Sequence, residues 1–138
     1  MLNREIPAHA AAEARLRAEP IIWFTTVTAS GQPQSTPVWF LWDGMEFLIY
    51  GLKDGPKTRN IQSNPRVSLH LEGNGRGGGN VIFEGSAKID PASPSADAVP
   101  AYIAKYRTFI DSYGWTPESF AGDYPHVIRV TPARARIW

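Results

Sequence analysis

The 138-residue chain contains no cysteine, which excludes a disulfide framework, a cysteine-held metal and thiol catalysis together. It has almost no surplus of charge. Fourteen basic residues face thirteen acidic ones, a net of +1, so no global field draws the chain onto nucleic acid or an anionic membrane, and an anionic ligand must be met by a local cluster. It also lacks a long apolar run: the first twenty residues interleave Arg4, Glu5, Glu13, Arg15, Arg17 and Glu19 with alanines, unlike a signal peptide or a membrane span. The expectation is a soluble, cytoplasmic protein. His9, His70 and His126 show no metal spacing, and no Ser/His/Asp set is defined by chain order, so neither a metal site nor a catalytic side chain is expected.

Aromatic residues, by contrast, are plentiful. Five Trp, five Tyr and six Phe offer more flat surface than a small core uses, and such surface suits a subunit interface or a planar ligand. The length fits one domain spanning residues 1–138, able to bury roughly two-thirds of the surface its unfolded form exposes.

An N-terminal segment, residues 1–19, is expected to be helical from Pro7 to Ala18, where Pro20 stops it. β-Branched and aromatic residues then predict strands over 21–28, 33–42 and 45–52, joined by a turn at Ala29–Gln32 and by the hairpin dipeptide Asp43-Gly44. Lys53-Asp54-Gly55-Pro56 predicts a turn, and residues 57–63 a short helix halted before Asn64-Pro65. Alternation predicts strands over 67–71 and 80–89, separated by the glycine-rich run 73–79. A peripheral helix over 97–113 follows. A helical turn after Pro117 leads into one or two closing strands over 126–138, interrupted at Pro132. Six antiparallel strands with one substantial helix suggest a small, mostly β barrel. The second strand is apolar on both faces, Val38, Phe40 and Trp42 on one and Pro37, Trp39 and Leu41 on the other, which implies cover from a partner or ligand on the outer face.

In this order the chain resembles the pyridoxamine 5′-phosphate oxidase-like, FMN-binding split β-barrel superfamily, and within it the deazaflavin (coenzyme F420)-dependent reductases of actinobacterial type. The resemblance spans nearly the whole chain. It rests on Ser35-Thr36-Pro37-Val38-Trp39-Phe40, on Lys57-Thr58-Arg59-Asn60-Ile61 followed by Asn64-Pro65-Arg66-Val67, on Leu69-His70-Leu71 and on the glycine loop. The element from Lys57 to Pro65 is the specific part. Physically, a short helix with Lys57 and Arg59 near its start brings cations and free N–H groups to one place, which suits a phosphate.

The resemblance implies a six-stranded split barrel, a homodimer with the cofactor between subunits, and a hydride transferred between coenzyme F420, or alternatively FMN, and a planar conjugated small molecule. It implies that Pro37, Val38 and Trp39 line the ring, that Lys57, Thr58, Arg59 and Asn60 hold the phosphate, and that Gly77, Gly78, Gly79 and Asn80 approach the ring. Simple subunit packing is the alternative for Trp39, and a loop without a ligand for the glycines. A non-catalytic cofactor carrier is the alternative for the whole chain. The longer relatives that oxidise pyridoxamine phosphate carry an extra C-terminal segment absent here, so a vitamin B6 oxidase is not expected.

Overall fold

The computed structural model describes residues 2–138; of the expected N-terminal segment, Met1 lies outside them. Seven strands form a single antiparallel sheet in the order β2-β1-β5-β6-β7-β4-β3. They are β1 (Ile22–Val27), β2 (Pro33–Val38), β3 (Leu41–Trp42), β4 (Phe47–Gly51), β5 (Arg66–His70), β6 (Val81–Ile89) and β7 (His126–Ile137). Strands β2 and β3 occupy opposite edges, yet only Trp39 and Phe40 separate them in the chain. Three residue steps span at most roughly 11 Å, so the sheet must curl until its edges nearly meet: a barrel split between β2 and β3.

The sequence predicts six strands, and the seventh arises because the expected strand over 33–42 breaks at Trp39-Phe40. The break is held from outside the sheet by helix α3 (Pro100–Ser112). The Tyr106 hydroxyl accepts from the Phe40 N–H at 2.8 Å and donates to the Pro20 carbonyl at 2.7 Å, while Lys105 Nζ donates to the Phe40 carbonyl at 2.9 Å. Backbone groups that leave the ladder are thus satisfied by side chains.

The C-terminal segment forms one strand. Gly85 pairs with Pro132 and Glu84 with Arg134, which leaves Ala133 as an extra residue in β7. A bulge next to Pro132 absorbs the missing N–H that would otherwise end the strand.

The barrel interior is filled by Phe24, Phe40, Phe47, Leu69, Phe83, Ile128 and Val130, all fully buried, and helix α1 (Pro7–Ala18) plugs it with Leu16. A second cluster lies outside the barrel wall, where Leu48 and Tyr50 of β4 meet Tyr102, Tyr106 and Ile110 of α3 and Phe120 of helix α4 (Pro117–Asp123). All five residues of β4 are buried because barrel and helices cover its two faces. The same helices cover Trp39 and Leu41. The outer apolar face of the 33–42 segment therefore finds its cover within the chain at those two positions.

Candidate functional site

Helix α2 (Pro56–Ser63) packs on β1 and β6, with Ile61 in the barrel-interior cluster, directly after a turn in which Asp54 takes a left-handed φ of 58°. Pro56 opens the helix and no side chain caps it, so the N–H groups of Lys57 and Thr58 have no intrahelical partner. Asn60 aims the helix: its buried amide donates to Thr26 Oγ1 at 2.9 Å on β1 and to Gln34 Oε1 at 3.0 Å on β2.

A cavity of about 540 Å³ opens above this N terminus, within the size range of small-molecule sites. Its floor is Ile21, Pro37, Val38 and Ile49, and one corner is Gly51, Gly55, Pro56, Lys57 and Thr58. The opposite bank is aromatic: Trp39, Tyr102, Tyr113, Trp115, Phe120 and Tyr124. Trp39 stacks on Phe120 (5.3 Å, 20°), and Phe120 on Tyr124 (4.8 Å, 18°); on its other face Trp39 stacks on Tyr106 (4.8 Å, 6°).

The corner is built for an anion. Lys57 is half-buried, forms no ion pair among the described residues, and is held below the ordinary lysine pKa by burial. Beside it the Thr58 hydroxyl is buried with no hydrogen-bond partner among the described residues. Such a group costs about 1–3 kcal/mol of desolvation unless something fills its hydrogen bond. Gly51 keeps the space open, since a Cβ there would stand 3.3 Å from Thr58 Oγ1 and 3.1 Å from Ile128 Cδ1. No carboxylate or histidine lines the cavity among the described residues. Tyr50, whose hydroxyl donates to the Pro94 carbonyl at 3.1 Å, is pushed up to about 12 by burial, and burial raises Tyr102 further. These phenols stay protonated across the physiological range. The cation, the orphaned hydroxyl and the free N–H groups fit a phosphate, and the aromatic bank fits a flat ring.

Of the residues singled out in the sequence, the cavity brings together Pro37, Val38, Trp39, Lys57 and Thr58. Arg59 is exposed and donates to the Asp54 carbonyl at 2.7 Å, and Asn60 spends its amide on the barrel wall. Gly77, Gly78, Gly79 and Asn80 stand elsewhere. The Asn80 amide donates to the Gly77 carbonyl at 2.7 Å, and Arg15 of α1 donates to the carbonyls of Gly79 and Glu72. That loop adjoins Val81, which pairs with Ile137, whereas Gly51 pairs with His126. The two places lie at opposite ends of β7, roughly 35 Å apart along the strand.

Sequence reasoning missed the aromatic bank. Its signal is the crowding of seven aromatic residues into positions 102–124, with Tyr102, Tyr106, Phe109 and Tyr113 recurring at helical spacing.

Solved structures share this architecture. A candidate pyridoxamine 5′-phosphate oxidase from Listeria innocua matches with a TM-score of 0.66 at 22% identity, over 93% of this chain and 95% of its own. An F420 reductase matches at 0.65 and 24%, over 90% and 94%. HutZ, a heme storage protein from Vibrio cholerae, matches at 0.63 and 15%, over 92% of each chain. Likeness at these identities establishes the fold, while the sequence profile of the pyridoxamine 5′-phosphate oxidase family matches residues 8–138. With that match running through the barrel, helix α2 and the aromatic bank alike, the chain belongs to the pyridoxamine 5′-phosphate oxidase family.

Proposed function

We propose that the chain is an oxidoreductase that uses coenzyme F420, with FMN as the alternative cofactor, to transfer a hydride to or from a planar conjugated small molecule. The observation that carries this reading is the corner at Lys57 and Thr58, a half-buried cation beside a buried hydroxyl without a partner, facing an aromatic bank across one cavity. When bound, the deazaflavin or flavin ring supplies the hydride chemistry itself.

The chain's residues bind and orient. Lys57, Thr58 and the first-turn N–H groups of α2 hold the phosphate. Asn60 anchors that helix to the barrel wall, and Pro37, Val38 and Trp39 present an apolar surface to the ring. Arg59 stands at the solvent edge of the same turn, as expected of a group that meets a phosphate's outer oxygens or the acidic tail of the deazaflavin. The apolar floor and aromatic bank exclude water from the reacting face.

In this reading a second copy of the chain completes the site. Pro37, Trp23, His70, Ile82 and Arg136 are register partners across β2, β1, β5, β6 and β7, and this row is only half-buried or exposed in the single chain. A homodimer covering it would reach the cavity at Pro37, and the loop of Gly77, Gly78, Gly79 and Asn80 could serve the cavity only from the partner subunit.

The structural likeness to a heme storage protein favours a second reading, a carrier that binds its cofactor without turnover. The test is to load the protein with reduced coenzyme F420, add a quinone such as menadione, and follow the cofactor's absorbance. Oxidation above the rate in free solution supports the enzyme. Tight binding with no acceleration by a range of conjugated acceptors supports the carrier.

A further inference from the structure

Trp39 and Phe40 occupy the break between β2 and β3 and belong to different clusters. Phe40 is fully buried in the barrel interior, whereas Trp39 packs with the outer cluster and lines the cavity. Both faces of the Trp39 ring are taken, one by Tyr106 at 4.8 Å and 6°, the other by Phe120 at 5.3 Å and 20°. Trp39 therefore meets the cavity by its edge, and a small slide of the ring changes what a ligand touches. The sheet does little to prevent such a slide, because β2 ends at Val38 and β3 begins only at Leu41.

The restraint comes from α3. Tyr102 lines the cavity and Tyr106, one turn further along, does not. The Tyr106 hydroxyl has one proton and three backbone neighbours, the Phe40 N–H at 2.8 Å, the Pro20 carbonyl at 2.7 Å and the Phe40 carbonyl at 2.9 Å. It accepts from the N–H. Lys105 Nζ donates to the Phe40 carbonyl at 2.9 Å, which leaves the hydroxyl proton for Pro20. Burial raises the pKa of this phenol, so the proton stays in place across the physiological range. Pro20 precedes Ile21 in the cavity floor, and Phe40 follows Trp39 in the aromatic bank. One buried hydroxyl thus ties floor to bank from behind, and the ring that carries it backs Trp39.

We propose that Tyr106 is a positioning residue of the ligand site: from behind the wall, its hydroxyl and ring set the place of the Trp39 edge in the cavity. The proposal rests on the reading of this cavity as the ligand site. It is tested by fluorescence titration of coenzyme F420 and of FMN into the protein and its variants. Tyr106→Phe keeps the ring and loses only the oxygen, and it weakens binding about five-fold, the scale of one lost hydrogen bond. Trp39→Leu weakens binding too. In that background Tyr106→Phe changes the affinity by less than about two-fold, because the hydroxyl then has no ring left to position. Gly85→Ala, which strains the bulge between β6 and β7, reports what destabilisation alone does and leaves the affinity within about two-fold of the wild type.

An unchanged affinity in folded Tyr106→Phe, a five-fold loss from that change in both backgrounds, or an equal loss in Gly85→Ala would each overturn the proposal. Should Tyr106→Phe not fold, amide exchange in the wild type decides. A ligand that depends on the tie must strengthen it by the same factor, so saturation with the cofactor slows exchange of the Phe40 N–H at least about five-fold, and unchanged exchange overturns the proposal. Failure of the site reading looks different: Lys57→Ala would then bind both cofactors as the wild type does.

Discussion

Thr58 carries a buried hydroxyl that nothing among the described residues satisfies, so its structural cost and its proposed ligand-binding role pull apart on substitution. Replacing it with valine keeps the shape and removes the desolvation cost. Thr58→Val is expected to raise the melting temperature of the ligand-free protein by about 3 °C, the equivalent of roughly 1 kcal/mol in a chain of this size, and to weaken phosphate-bearing ligands about five-fold. Melting scans with and without FMN measure both; a loss of stability would mean that the hydroxyl is satisfied. Lys105 gives a pH signature. Burial lowers its ammonium to about 8, against the opposing pull of Glu19, whereas an unfolded lysine titrates near 10.4. Between those values the folded chain binds fewer protons than the unfolded one, so this group makes stability rise with pH across that window. Lys57, shifted in the same direction, adds to the rise. Urea midpoints at pH 7.5 and pH 10 are expected to differ less in Lys105→Met than in the wild type, and an unaltered difference would contradict this assignment.

Helix α2 is packed on the barrel by Ile61 and hydrogen-bonded to it by Asn60. Asn60→Ala leaves Thr26 Oγ1 and Gln34 without their donor and is expected to cost about 1–3 kcal/mol by urea denaturation, with weaker ligand binding because Lys57 and Thr58 move with the helix. At the bulge, a Cβ on Gly85 would press on the Thr131 carbonyl and stand 3.0 Å from Pro132 Cα. Gly85→Ala meets backbone rather than a movable side chain, so a loss of about 1–3 kcal/mol is expected in the same assay. Most elements were legible because their boundaries carry local chemistry. Pro56 and Asn64-Pro65 bracket α2, and Asp43-Gly44 makes the predicted hairpin turn with Gly44 at a φ of 98°. Two boundaries were not. The strand pattern runs unbroken through Trp39-Phe40, and the break there depends on Tyr106 and Lys105, more than sixty residues away. Pro132 suggested an interruption, but a bulge at the next residue of the same strand, Ala133, absorbs it opposite Glu84 and Gly85.

At the level of the whole molecule, the curl of the sheet brings Pro37, Val38 and Trp39 on one side of the cavity to Lys57 and Thr58 on the other. Their meeting around one cavity was legible because a specific motif carried it. The aromatic bank was not, since its residues are dispersed along α3 and α4 and only tertiary packing turns them toward the cavity. The glycine loop stands away from the cavity of its own chain, and this was not legible for a related reason: glycines mark a turn with left-handed φ at Gly75, Gly77 and Gly79, and nothing local says which end of the barrel that turn occupies. Among the described residues no helix is long and apolar enough to cross a membrane. The central claim, that the cavity at α2 holds a flavin-type cofactor by its phosphate, is tested most directly by fluorescence titration of coenzyme F420 and FMN into the wild type and Lys57→Ala. The expected result is saturable binding of at least one cofactor, coenzyme F420 the tighter, weakened in Lys57→Ala by roughly 1.5–3 kcal/mol, the worth of a charge-assisted hydrogen bond. Equal affinity in the two proteins, or no binding of either cofactor to the wild type, would contradict it.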